Sequence, residues 1–164
     1  MTSFREVRLS NTVPGRLLLH SMPGRYEPLD DTWEEVRRLR VSKIICLAPL
    51  NEIRAKSPDY AQALSAGAVP CALSMFPVCD YQAPDDEAAF RQVAIEVAKS
   101  LGRGENVLVH CGAGIGRTGM FAIAILMVLG LHDRDARRRV ADAGSSPERA
   151  AQEEALRRFS EADG

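Results

Sequence analysis

Ten consecutive residues, His110-Cys111-Gly112-Ala113-Gly114-Ile115-Gly116-Arg117-Thr118-Gly119, combine a nucleophile, an anion-binding backbone and a fixed cation. Gly112, Gly114 and Gly116 let the chain turn tightly and point successive N–H groups inward, forming a nest for an anion. A helix starting about Gly116 would add its positive end and its unpaired N–H groups. A tetrahedral oxyanion is the natural occupant. Helix termini and neighbouring cations lower a thiol from about 8.5 to roughly 3.5–7.5, so Cys111 is expected to be a thiolate at neutral pH. Arg117, across the loop mouth, carries a planar fork that matches two phosphate oxygens. Thr118 is placed to donate its hydroxyl hydrogen to the sulfur and help it leave in a second step.

Simpler readings account for less of the pattern. A buried cysteine after a strand is usually packing, and a glycine-rich strand-to-helix turn can hold a nucleotide phosphate without catalysis. Here the P-loop lysine is absent and the glycines alternate, which is not the Gly-x-Gly-x-x-Gly spacing. Cys111 and Arg117 facing one anion nest are hard to explain as packing. Attack by sulfur on a phosphate monoester also needs a proton for the departing oxygen. Asp80, Asp85 and Asp86 are the nearest carboxylates in segment 76–86. Asp85 and Asp86 follow Pro84 and open a helix, where acidic residues serve as caps. Asp80 lies in an irregular stretch bracketed by Pro77 and Pro84, with no helix to cap, and is the expected general acid.

The surrounding pattern alternates strands and helices. Strands are expected at Leu17–His20, Lys43–Ala48, Val69–Met75 and Val107–Val109. Helices are expected from Asp31, with Asp31 and Glu34 as a capping box, at Pro58–Gly67, Asp85–Leu101, Gly116–Leu129 and Asp133–Ala143. The last is expected at Pro147–Phe159, with Ser146 as its cap. This order implies an α/β fold, a central mainly parallel sheet with helices on both faces. Ligands bind such sheets at the carboxyl ends of strands, which is where Val107–Val109 runs into Cys111.

At 164 residues the chain is read as one domain, 1–164. With 21 Lys and Arg against 22 Asp and Glu, it has no basic excess to suggest nucleic acid or an anionic membrane as partner. The apolar run Met120–Leu131 is too short to span a bilayer, which takes about 20 residues. The N-terminus lacks the apolar core of a signal peptide. Cys46, Cys71, Cys79 and Cys111 fit no metal-binding spacing, so no metal and no cofactor are expected, and free thiols suit a reducing cytoplasm. Cys46, then Cys79, are the candidates for a disulfide protecting an oxidised Cys111.

The His-Cys-x5-Arg-Thr segment at 110–118 resembles the signature loop of the protein tyrosine phosphatase superfamily. Chain length suits the small dual-specificity branch. Met22-Pro23-Gly24, the helix from Asp31, the strand ending near Cys46, the loop at Asp80 and the segment near Gln152 are similar in order to kinase-associated phosphatase-type members. The resemblance implies the cysteine-phosphatase fold, with Cys111 as nucleophile and Arg117 binding phosphate. The N–H groups of Gly112, Ala113, Gly114, Ile115, Gly116 and Arg117 would cradle its oxygens, and His110 would hold the loop. It also selects Asp80 as acid. Gln152 resembles a glutamine that positions the hydrolytic water in some members, but its companion four residues earlier is Glu148 here. The implied substrate is a phosphorylated protein or another phosphomonoester. The uncharged loop, 112–116, and the lack of a phosphotyrosine-recognition segment favour a phosphoprotein and a shallow, dual-specificity pocket. The competing readings are rhodanese-like sulfur transfer or arsenate reduction on the same Cys-x5-Arg loop, and a non-catalytic phosphoprotein-binding module.

Overall fold

A computed structural model describes residues 3–162. Its elements run β1 (Arg5–Val7), β2 (Leu17–His20), α1 (Leu29–Arg38), β3 (Val41–Cys46), α2 (Leu50–Lys56), α3 (Pro58–Ala66), β4 (Ala72–Met75), α4 (Glu87–Gly102), β5 (Asn106–His110), α5 (Gly116–Val128), α6 (Asp133–Asp142) and α7 (Ala150–Ala162). The strands form one sheet in the order β1-β2-β5-β3-β4, parallel except for β1 on β2. This is the expected mainly parallel α/β architecture.

Strand alternation sends side chains to two separate cores. Leu17, Leu19, Ile45, Val107 and Val109 pack under α4, α5, α6 and α7. Leu18, Ile44, Cys46 and Leu108 face Trp33 and Val36 of α1, Ile53 of α2 and Tyr60 of α3. Helix α5 is buried from Gly116 through Met127 because the sheet and three helices surround it. Its apolar run is therefore a core helix; among the described residues, no helix is long and apolar enough to cross a membrane.

Register brings the site together. His20, His110 and Cys46 are neighbours at the carboxyl ends of β2, β5 and β3. The backbones continue in step: Met22 N–H donates to Gly112 (3.1 Å), and Leu47 N–H donates to His110 (3.0 Å). The chain leaving β4 follows the same edge, with Val78 N–H on the Leu47 carbonyl at 2.8 Å.

Several local expectations are corrected. Helix α1 starts at Leu29 behind Pro28 and has no side-chain cap, so Asp31 lies inside the first turn rather than in a capping box. Pro28 takes the N-cap position, where it offers no side-chain acceptor. Helix α7 starts at Ala150, not Pro147. Ser146 N–H is spent on the Ile115 carbonyl (3.2 Å), which holds 146–149 against the glycine loop instead of in a helical turn. Strand β4 begins at Ala72 rather than Val69. Two short elements, β1 and α2, were not expected. The cap of α4 is Asp86, whose carboxylate accepts from Ala89 N–H at 2.9 Å.

Candidate active site

The loop between β5 and α5 keeps its carbonyls occupied. Gly112 O accepts from Met22 N–H. Gly114 O accepts from the Arg5 guanidinium and from the Ser145 hydroxyl, each at 2.6 Å. Arg5 also donates to Ala143 O at 2.7 Å and to Ser145 Oγ at 2.8 Å, tying β1 and the α6–α7 turn to the back of the loop. With those carbonyls held, the peptide N–H groups of the turn are left to converge on an anion. Gly114 has φ +77, and a Cβ there would lie 2.5 Å from the His20 carbonyl oxygen. Gly114→Ala is therefore expected to cost more than about 2 kcal/mol and to abolish tungstate binding. Gly130→Ala also meets a positive φ, +102, but has open space around it. It should lose stability while keeping tungstate affinity; thermal melts and titrations on both variants check the contrast.

Cys111 is buried at the foot of this loop, 2% exposed, and its Sγ accepts from Thr118 Oγ1 at 3.0 Å. His110 is fully buried. Burial pushes its pKa down to about 4, so the imidazole is neutral at pH 7. Nδ1 lies 3.1 Å from Cys111 O and Nε2 lies 2.8 Å from Tyr60 Oη. A neutral ring satisfies both contacts by donating from Nδ1–H and accepting the phenol hydrogen at Nε2. Both nitrogens of His110 thus hold structure. Its depressed pKa has a stability consequence. The unfolded chain takes up this proton near 6.5 and the folded chain only near 4. Stability is therefore expected to fall by up to about 3 kcal/mol as pH drops through that window. Urea titrations at pH 7 and pH 4.5 on wild type and His110→Asn measure it, with a shallower pH slope in the variant.

Arg117 is 2% exposed and bonded on one side. Nη1 donates to Glu52 Oε1 (2.9 Å) and to Val78 O (2.8 Å), and Nη2 donates to Glu52 Oε2 (2.8 Å). Burial alone would raise Glu52, but hydrogen bonds and charge from Arg117, helped by Lys56, hold its carboxyl below the usual range. Glu52 takes two and the Val78 carbonyl a third of the five guanidinium hydrogens. Nε–H and the outer Nη2–H remain as an open bidentate edge, and Asp80 Oδ1 stands 3.2 Å from Nη2. The other Asp80 oxygen is 3.8 Å from Lys56 Nζ. Asp80 is the one of the three loop aspartates on the cavity wall; Asp86 is spent as a helix cap. The cavity is about 120 Å³, with Cys111, Ala113, Gly116, Arg117 and Asp80 among its lining residues. Arg25, Lys56, Tyr81 and Glu148 complete its rim.

Gln152 is not in that lining. It is 1% exposed, with Oε1 accepting from Glu148 N–H (2.8 Å) and Nε2 donating to the Gln82 carbonyl (3.3 Å). Its amide braces the Asp80 loop against the start of α7, and the side chain on the rim is Glu148. Cys46 packs in the α1–α3 core beside His110, opposite in facing to Cys111, and burial raises its thiol to about 11. Cys79 is exposed on the Asp80 loop. Glu52, Arg5 and Ser145 were not expected at the site: a glutamate on a short helix, an arginine on an edge strand and a serine in a turn carry no local mark of these long-range contacts.

A family model described as "PTP-SAK: Swiss Army Knife protein, DSP-PTPase phosphatase domain" matches residues 6–163. No curated protein matches the chain in sequence. Among solved structures, kinase associated phosphatase with its catalytic cysteine replaced by serine superposes with a TM-score of 0.80 at 17% identity, covering 98% of this chain and 94% of that one. Human DUSP28 gives 0.69 at 22% identity over 98% and 96% of the two chains. PTPMT1 in complex with PI(5)P gives 0.70 at 21% over 89% and 90%. At these identities the structures establish a shared fold, and the family model establishes the lineage: the chain belongs to the PTP-SAK family, a DSP-PTPase phosphatase domain of Swiss Army Knife proteins.

Proposed function

We propose that the chain hydrolyses phosphomonoesters through a phosphocysteine intermediate on Cys111. The observation that carries this reading is the convergence of Cys111, the open edge of Arg117 and Asp80 on one small cavity. The substrate phosphoryl oxygens take the N–H groups of residues 112–117 and the Nε–H/Nη2–H edge of Arg117. Cys111 sulfur bonds to phosphorus in line as the P–O bond to the leaving group breaks. Asp80, as the acid, gives its proton to that oxygen. Water then attacks phosphorus, Asp80 accepts a proton from it, and the P–S bond breaks, with the Thr118 hydroxyl stabilising the released thiolate. Preorganised N–H groups and Arg117 supply the positive charge that develops against the transferring group. His110 supports the loop, and Gln152 supports the acid loop rather than the water.

The preferred substrates are phosphoproteins, including phosphotyrosine and phosphothreonine, because residues 112–116 are uncharged. Sulfur transfer and arsenate reduction leave Asp80 without a task, and a binding module leaves Cys111 without one. We place the enzyme in a reducing cytoplasm, where Cys111 stays reduced. Turnover of p-nitrophenyl phosphate is expected to survive EDTA, with no turnover of thiosulfate or arsenate. Metal-restorable loss of activity would overturn the mechanism, and no turnover of any phosphomonoester would overturn the function.

A further inference from the structure

The rim of the cavity carries opposite charges at its two ends. No residue from Gly112 to Gly116 is charged, so the rim charges come from other segments. Glu148 packs its carboxylate against Gly116, where α5 begins. At the Gly112 end stands Lys56, from the last turn of α2. Its Nζ lies 3.2 Å from where a side chain on Gly112 would start. Arg25 reaches the same cavity from the turn after β2.

That turn is held at four points. Met22 N–H donates to Gly112 O and Arg25 N–H donates to Met22 O, both at 3.1 Å. The Ser57 hydroxyl donates to Pro23 O at 2.8 Å, and Gly24 N–H donates to Glu27 Oε2 at 3.1 Å. Arg25 is half-buried and pairs with no carboxylate among the described residues; its guanidinium lies over the exposed Tyr26 ring at 4.7 Å. Lys56 shares both of its carboxylates with Arg117, Glu52 at 3.1 Å and Asp80 at 3.8 Å, and so is only partly neutralised. A half-buried arginine without a counter-ion, on a bonded turn and lining the same cavity as a second cation and a carboxylate, is suited to receive an anion on one side of that cavity while the carboxylate refuses it on the other.

We propose that Arg25 and Lys56 form a second anion subsite, so that the preferred substrate is a phosphomonoester bearing another anionic group on its leaving-group side. The proposal rests on the phosphatase reading and names the substrate class of that same site. Glu148 fixes the orientation by repelling the anionic group from the Gly116 end. Two sources carry this chemistry, an acidic residue beside a phosphorylated residue and a second phosphate on a small polyol.

The test compares 3-carboxyphenyl phosphate with its neutral isostere, 3-carbamoylphenyl phosphate, at low ionic strength. The carboxylate substrate is expected to show a kcat/KM about tenfold higher, the scale of one or two charge-assisted hydrogen bonds. The gap should narrow at high salt, close in Arg25→Gln and be partly kept in Arg25→Lys. Phosphotyrosine peptides with neighbouring Glu or Gln, and inositol bisphosphate against monophosphate, then separate the two sources. Equal kcat/KM for the carboxyl and carbamoyl pair, or a gap that persists in Arg25→Gln, overturns the subsite while leaving the phosphatase reading intact. Absence of turnover on both members of the pair overturns the phosphatase reading itself.

Discussion

Cys111→Ser is expected to remove all measurable turnover of p-nitrophenyl phosphate while leaving tungstate binding within a few-fold of wild type. The two effects separate because the nucleophile and the anion nest are different parts of the site. The nest consists of backbone N–H groups whose carbonyls are anchored by Arg5, Ser145 and Met22, none of which touches the sulfur position. The arginine edge is fixed by Glu52 and Val78. A serine hydroxyl stays protonated at neutral pH, and the nearest histidine, His110, already uses both ring nitrogens. His110 is therefore not free to act as its base. Residual activity above a few per cent, or loss of tungstate affinity together with activity, would contradict this separation.

Asp80→Asn is expected to lower kcat on phenyl phosphate by about 10²–10⁴, the range for removal of a general acid. The loss should shrink for p-nitrophenyl phosphate, whose leaving group needs little protonation, and the basic limb of the kcat–pH profile should flatten. Asp80 also stands 3.2 Å from the open edge of Arg117, which the incoming phosphate must take over. Removing its charge removes a competitor for that edge. Tungstate should therefore bind Asp80→Asn at least as tightly as wild type even as kcat falls. Asp86→Ala loses the acceptor of the Ala89 N–H bond, at a cost of about 1 kcal/mol in stability, with kcat unchanged. A wild-type pH profile in Asp80→Asn would remove it from the acid role.

The placement of the candidate site residues was legible wherever one short segment carried them. The β5-loop-α5 unit declares itself through a buried strand, alternating glycines and an apolar helix, with cysteine and arginine at a fixed spacing. Likewise Pro58 and Gly67 bound α3 as expected, Gly67 taking the left-handed angle at φ +64. Asp80 was separable from Asp86 because a residue opening a helix and one on an irregular loop have different neighbours in sequence, and the structure puts the first at the α4 cap and the second on the cavity wall. The supports of the site were not legible. Glu52 neutralises a residue 65 positions away, and Arg5 bonds a carbonyl 109 positions away. Nothing local distinguishes them from solvated charges. The capping box at Asp31 and the cap at Ser146 failed for a related reason: α1 begins earlier, behind Pro28, and residues 146–149 precede α7, with Ser146 N–H on the Ile115 carbonyl. Gln152 sits on an amphipathic helix, and only the fold shows that its amide is turned inward to brace the Asp80 loop.

The most direct test of the account is chemical quench of the enzyme during turnover of a phosphomonoester, followed by peptide mapping of the trapped phosphate. The account requires phosphate on Cys111, formed at a rate no slower than kcat and accumulating further in Asp80→Asn with p-nitrophenyl phosphate, where the second step lacks its base. Phosphate on any other residue, or steady turnover with no phosphoenzyme in wild type and Asp80→Asn alike, would contradict it.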